Sequence, residues 1–141
     1  MAELLYVKAQ DIDAAWAQGA EFFVAKAIAK NHGECTVQDA YVRVSTGQWN
    51  LWVAEEAGHI VGAVTCRIVE YPQYYACEVI HFATSLPREE WLPLLTGPLE
   101  EWARTAGCTH IMLFGRKGFE RFQPAEGYTQ WYTCMGKTLA T

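Results

Sequence analysis

The chain has 141 residues, the size of one domain spanning 1–141 and enough to bury a real core, with 51% hydrophobic residues, 19% charged residues and a net charge of −5. That balance excludes the basic footprint of a nucleic-acid binder, and the want of any long polar or like-charged run excludes a disordered chain. No apolar run approaches membrane-spanning length, and Met1-Ala2-Glu3-Leu4-Leu5-Tyr6 lacks the pattern of a signal peptide, so neither a membrane partner nor export is expected.

Leu4 to Lys8 reads as a short strand. Asp11 can cap a helix in which Ile12, Trp16, Ala20, Phe23 and Ala27 recur at helical spacing, and Lys30 and Gly33 end it. Thr36 to Val44 predicts a second, shorter helix capped by Thr36 and closed near Gly47. Trp49 to Ala54 and His59 to Val69 predict two strands joined through Glu55-Glu56-Ala57-Gly58 as an antiparallel hairpin. Pro72 lies in the next turn, and Tyr74 to Thr84 predicts a long strand. Simple alternation puts Val79 and Ala83 on one face of it and Ile80 and Phe82 on the other. A strand apolar on both faces belongs inside a covered sheet.

Pro87 suits a helix start, and Trp91, Leu94, Leu95, Leu99, Trp102 and Ala106 form one stripe at helical period. Trp91, Leu95, Leu99 and Trp102 are the expected core of that stripe. Gly97-Pro98 predicts a kink or break near Leu94, and Gly107 closes the helix. Thr109 to Phe114 reads as a buried strand, Lys117 to Gln123 as a short helix, and Gly127 to Lys137 as a last, bent strand. The order βα(α)βββαβαβ predicts an α/β (α+β mixed) fold, a mixed sheet with helices on both faces. The crossover helix requires Tyr74–Thr84 and Thr109–Phe114 to be adjacent and parallel, and they are expected to splay at their C-terminal ends.

The five cysteines are odd in number and scattered, which argues against a disulfide framework and for synthesis in a reducing cytoplasm. Cys77 and His81 fall four residues apart on one strand, on one face by alternation and about 13 Å apart, too far to share an ion. His32 and Cys35 have no second pair, so no metal is expected. Cys108, after Gly107, reads as packing, and no Ser or Cys lies in a nucleophile elbow.

The element order resembles the GNAT fold, that of the acetyl-CoA-dependent N-acetyltransferases. Leu51-Trp52-Val53-Ala54 with Ile60-Val61-Gly62-Ala63 resembles the paired strands that begin such a domain. Trp91, Trp102-Ala103-Arg104, Gly107-Cys108, Ile111, Leu113, Gly115-Arg116, Gly118-Phe119 and Gly127-Tyr128 resemble its closing half. The resemblance implies that acetyl-CoA is held where the fourth strand enters a loop of the form Gln/Arg-x-x-Gly-x-Gly/Ala, whose small residues let backbone N–H groups approach a pyrophosphate. Here that stretch is Thr84 to Leu92, without Gly, with Pro87 removing a donor and Glu89 and Glu90 adding negative charge. Arg88 is the one residue there able to answer a phosphate, unless it is only a solvated helix-end charge. The family's proton-donating Tyr falls on Gln123, after Phe122. Glu78 and His81 are the candidate bases, by alternation on opposite faces; Glu78 can instead pair with Arg67 across the sheet.

Trp91-Leu92-Pro93-Leu94-Leu95, Trp102 to Cys108 and Gly115 to Phe119 further resemble GNAT-like proteins encoded by bacteriophages, some among virion genes. That resemblance implies a fold kept as a scaffold, with no cofactor expected and a structural or interaction role in a virion or other assembly. Its partners would be phage structural proteins or further copies of itself, and its location the bacterial host cytoplasm or the virion. The alternative is a working N-acetyltransferase acting on an amine through an atypical acetyl-CoA site. Trp49, Tyr71, Tyr74 and Tyr75 are the candidates for an exposed aromatic contact patch.

Overall fold

The computed structural model describes residues 1–114 and 127–140. Its sheet contains β1 (Glu3–Tyr6), β2 (Asn50–Glu56), β3 (His59–Glu70), β4 (Tyr75–Thr84) and β5 (His110–Leu113), in that order across the sheet. Neighbours are antiparallel except β4 and β5, which are parallel with Ala76 opposite His110 and Val79 opposite Leu113. The parallel pair is the expected one, because a helix returns the chain between them. The hairpin turn holds Ala57 at φ 51° and Gly58 at φ 80°, the pair of positive φ values that a two-residue turn of this twist demands.

Helix α1 covers residues 12–28 and bends at Gly19, where the turn Trp16–Ala20 is of π type and Glu21 N–H reaches back five residues to Trp16 O. Helix α2 (Val37–Ser45) starts on a capping box, with Thr36 and Asp39 each accepting the other's backbone N–H. Tyr41 ties the two helices together by donating to Asp13 at 2.6 Å. Helix α3 covers residues 88–105 and does not break at Gly97-Pro98. Instead Leu95–Leu99 forms a π turn, and Glu100 N–H bonds to Leu95 O, so one wide turn absorbs the missing proline donor.

The two sheet faces carry separate cores. Leu95, Leu99 and Ala103 of α3 pack on Trp52, Val64, Cys66, Cys77 and Val79, with Trp91 and Trp102 half-buried at the margins. Trp102 sits 5.5 Å from Trp52 edge-on and 6.1 Å from Tyr6. The other face holds Trp16, Phe23, Val24 and Val44 against Leu51, Val53 and Ala63. All five cysteines are free thiols, and Cys66, Cys77 and Cys108 are buried among the α3 contacts.

The expected last strand over Gly127–Lys137 is not formed: residues 128–140 have no regular structure. A strand is held by a ladder, and among the described residues nothing pairs with this segment, whose Trp131, Tyr132, Met135 and Leu139 are exposed. The expected helix Lys117–Gln123 lies outside the described residues. Among those described, no helix is long and apolar enough to cross a membrane.

Leu99 is fully buried, so Leu99→Ala is expected to cost about 3 kcal/mol. Gly62 is smaller than its role suggests: a Cβ there would lie 2.8 Å from Thr84 Oγ1 and 2.9 Å from Thr84 Cβ. Gly62→Ala is therefore expected to cost about 1–3 kcal/mol, and thermal melts of the two variants check both figures.

Candidate functional site

Strand β4 does not alternate evenly. Arg67 of β3 faces Glu78, Cys66 faces Val79 and Thr65 faces His81, so Ile80 is an extra residue bulged out of the ladder. The bulge inverts the parity of everything after it. Val79 and Phe82 lie toward α3, whereas Ala83 lies toward α1 and α2, which corrects the pairing of Val79 with Ala83. Glu78 and His81 accordingly share one face, not opposite ones, and Cys77 and His81 are on opposite faces.

Pairing of β4 with β5 ends at Val79 and Leu113. Beyond it a groove of about 930 Å³ opens, walled by Glu34, Trp49, Arg67, Glu78, Ile80 and His81. A second groove of about 280 Å³ continues past Ile80 and His81 along the end of β4, with Lys26 and Lys30 on one lip and Phe82 and Trp91 on the other. Strand β5 ends at Leu113 while β4 runs on to Thr84, and the expected splaying of the two strands lies outside the described residues.

Glu78 is buried, and both its oxygens are engaged: Arg67 Nε donates to Oε1 at 3.0 Å and Tyr71 O–H to Oε2 at 2.7 Å. Its hydrogen bond holds the Tyr71 phenol above its ordinary pKa. His81 is also buried and is fixed twice by Thr65. Its backbone N–H donates to Thr65 Oγ1 at 3.1 Å, and its Nδ1 lies 2.9 Å from that same oxygen. The Thr65 hydroxyl can donate to Nδ1 or accept from it, so the contact fixes the orientation of the ring with either tautomer. Burial holds the His81 pKa below its ordinary value, and Glu34 pulls weakly the other way. The Glu34 carboxyl is itself held low by backbone N–H groups, its own and that of His32. Trp49 stands edge-on at 5.7 Å from the His81 ring. Among the described residues no cluster of three metal-ligating side chains exists.

No sequence-family profile matches the chain, and no curated protein matches it in sequence. Solved structures do match. An aminoglycoside acetyltransferase from an uncultured soil metagenomic sample aligns with a TM-score of 0.73 over 99% of both chains, at 10% identity. Glucosamine-6-phosphate N-acetyltransferase from Arabidopsis thaliana aligns with a TM-score of 0.67 over 99% of both, at 14% identity. Ribosomal-protein-alanine N-acetyltransferase from Brucella melitensis biovar Abortus 2308 aligns with a TM-score of 0.66 over 98% of this chain and 100% of its own, at 15% identity. The chain has the GNAT fold.

In a GNAT fold the turn after β4 is where a coenzyme pyrophosphate would look for donors. Here Ser85 N–H bonds to Val61 O at 2.9 Å, and Leu86 N–H bonds to Thr84 Oγ1 at 3.0 Å. Thr84 O–H donates in turn to Val61 O at 2.7 Å, a position open to it because Gly62 opposite has no side chain. Pro87 has no N–H, and Glu89 and Glu90 fill the first turn of α3. The Ser85 and Leu86 N–H groups are thus taken within the fold, and the carboxylates beside them do not suit a pyrophosphate. Arg88 is exposed at the start of α3 and is not among the residues lining either groove. Gln123 lies outside the described residues.

Sequence reasoning missed Thr65, Trp49 and Glu34 as neighbours of His81. Thr65 was findable only by knowing the bulge, since without it β4 residue 80 would stand opposite. Of the four aromatics expected in one exposed patch, Tyr75 alone is exposed; Trp49 lines the groove, and Tyr71 and Tyr74 are half-buried with their rings tilted against each other at 5.6 Å.

The depressed His81 pKa has a definite sign. Below the ordinary imidazole value near pH 6.5 the unfolded chain takes up a proton that the folded chain refuses, so stability falls as pH drops through that window. Thermal melts between about pH 7.5 and pH 5.5 should show a smaller acid-side loss for His81→Gln than for the native chain.

Proposed function

We propose that this is a GNAT-fold protein that no longer works through a coenzyme and acts instead by contact with a protein assembly. The observation that supports it most is the closed turn after β4, where Ser85 and Leu86 have spent their N–H groups on Val61 and Thr84. A pyrophosphate arriving there meets the Glu89 and Glu90 carboxylates in place of donors. Glu78 supports the same reading, because Arg67 and Tyr71 hold both its oxygens and an amine would have to displace them. The resemblance to phage-encoded GNAT-like proteins makes a bacteriophage particle the assembly of choice, with structural or interaction work as the role.

A second reading is favoured by His81. It is a neutral imidazole on the wall of a 930 Å³ groove, with Thr65 fixing its orientation and Glu34 on the same wall. A group so placed is suited to take a proton from an amine. The neighbours named above are acetyltransferases, and on this reading the chain would act on an amine of unnamed structure.

Calorimetry with acetyl-CoA at low salt separates the two. On the first reading the expected result is no resolved heat, or a dissociation constant above about 100 μM. A low-micromolar constant together with amine-dependent release of free coenzyme, lost in His81→Gln, would establish the second. Mass spectrometry of purified particles from the encoding phage is expected to find the chain in them.

A further inference from the structure

We infer that the groove beside His81 is a binding site for a small zwitterion, a molecule that carries both a carboxylate and an ammonium group, as an α-amino acid does. The groove is built on two neighbouring rows of one sheet face, Arg67 opposite Glu78 and Thr65 opposite His81. Two residues along β3 separate those rows by about 7 Å. Trp49 precedes Asn50, the β2 residue opposite Cys66, so it continues β2 toward Arg67. Its N–H bonds to Arg43 O at 3.0 Å, and the Arg43 guanidinium lies 5.9 Å from its ring centre. Trp49 thereby joins the end of α2 to the sheet along this wall.

The hydrogen-bonding groups of the wall are unevenly spent. Both Glu78 oxygens are taken, by Arg67 and Tyr71, and Asp39 is occupied by the Thr36 N–H in the capping box of α2. The donors are in surplus. Among the described residues Arg67 donates only through Nε, to Glu78, and Arg43 only through Nη1, to Gln48. The two Nη groups of Arg67 therefore remain, on a side chain that is 51% exposed and whose plane is set by the held Nε. Such a fork is matched by a carboxylate, which accepts two parallel N–H bonds from it.

The charge of the wall decides what else the ligand carries. Arg43 and Arg67 line the groove with Glu34, Asp39 and Glu78, two guanidiniums against three carboxylates. A plain anion would add charge to a wall that is already negative, and a phosphate would add more. A zwitterion adds none. Its ammonium group has an acceptor in Glu34, which lies near enough to His81 to act on its charge. The carboxylate then sits at Arg67 and the amine between Glu34 and His81. This rests on the second reading above in placing an amine at His81, but binding itself needs neither a coenzyme nor a proton transfer.

L-Leucine is the probe, because Val42 and Ile80 offer its side chain an apolar wall. Leucinamide, which lacks the carboxylate, and N-acetylleucine, which lacks the ammonium group, are the controls. In titrations of the full chain followed by proton–nitrogen NMR, leucine is expected to shift the Trp49 indole resonance and to saturate with a dissociation constant below about 1 mM. Each control is expected to bind about tenfold more weakly or worse, having lost one charge-assisted contact. Arg67→Lys keeps the charge beside Glu78 but not the fork, and should weaken leucine about tenfold while leaving leucinamide unchanged. The double variant Arg67→Gln, Glu78→Gln leaves no buried charge unpaired and should do the same. No saturation by about 10 mM leucine, a control that binds as tightly as leucine, or full leucine affinity in both variants overturns the inference. Incubation with acetyl-CoA separates it from the second reading. Leucine that binds without gaining an acetyl group upholds the inference and sinks the enzyme, whereas leucinamide acetylated as fast as leucine does the reverse.

Discussion

The bulge at Ile80 is the constraint on which the site depends. One extra residue in β4 reverses the face of every side chain after it. Glu78 and His81, three positions apart, come to the same wall, while Val79 and Phe82 both stay in the core under α3. Without it, either His81 or Phe82 would face the wrong layer. The cost would be a buried imidazole without Thr65 in one case and an aromatic ring in a polar groove in the other.

The same strand also decides the fate of the turn that follows it. Gly62 leaves space for Thr84, Thr84 bonds Val61 O and takes the Leu86 N–H, and Ser85 N–H takes the rest of Val61 O. The Leu86 bond is local, and the two to Val61 tie the turn to β3. In a GNAT fold those bonds have a chemical consequence. Donors turned inward to Val61 and Thr84 are not available to an anion, whatever positive potential the start of α3 supplies.

The sheet ends differently at its two edges. At β1 the chain enters with Val7 N–H bonded to Leu51 O, extending the ladder past Tyr6. At β5 the described ladder is only four residues long, and residues 128–140 carry large apolar side chains into solvent.

Much of this was legible in the residues. Period 3.6 placed α1 and α3, Thr36 marked the start of α2, and Glu55-Glu56-Ala57-Gly58 marked the hairpin, because those signals are local and act within one element. Leu95 and Leu99 were legible as core for the same reason, and Arg67 as a partner of Glu78 because charge complementarity needs only a neighbouring strand. The sequence did not determine whether Gly97-Pro98 breaks α3. A π turn is chosen over a break only when the stripes on both sides of it are buried against one sheet. It did not determine the side of the sheet on which His81 stands, since a bulge leaves no mark in the alternation of β4; it is set by how β3 packs beside it. Nor did it determine the fate of residues 128–140, where strand-forming composition is present but a strand exists only with a partner to complete its hydrogen bonds. Local propensity was written in the chain; parity, pairing and the closing of the Thr84–Leu86 turn depend on contacts between distant segments and were decided by the tertiary structure.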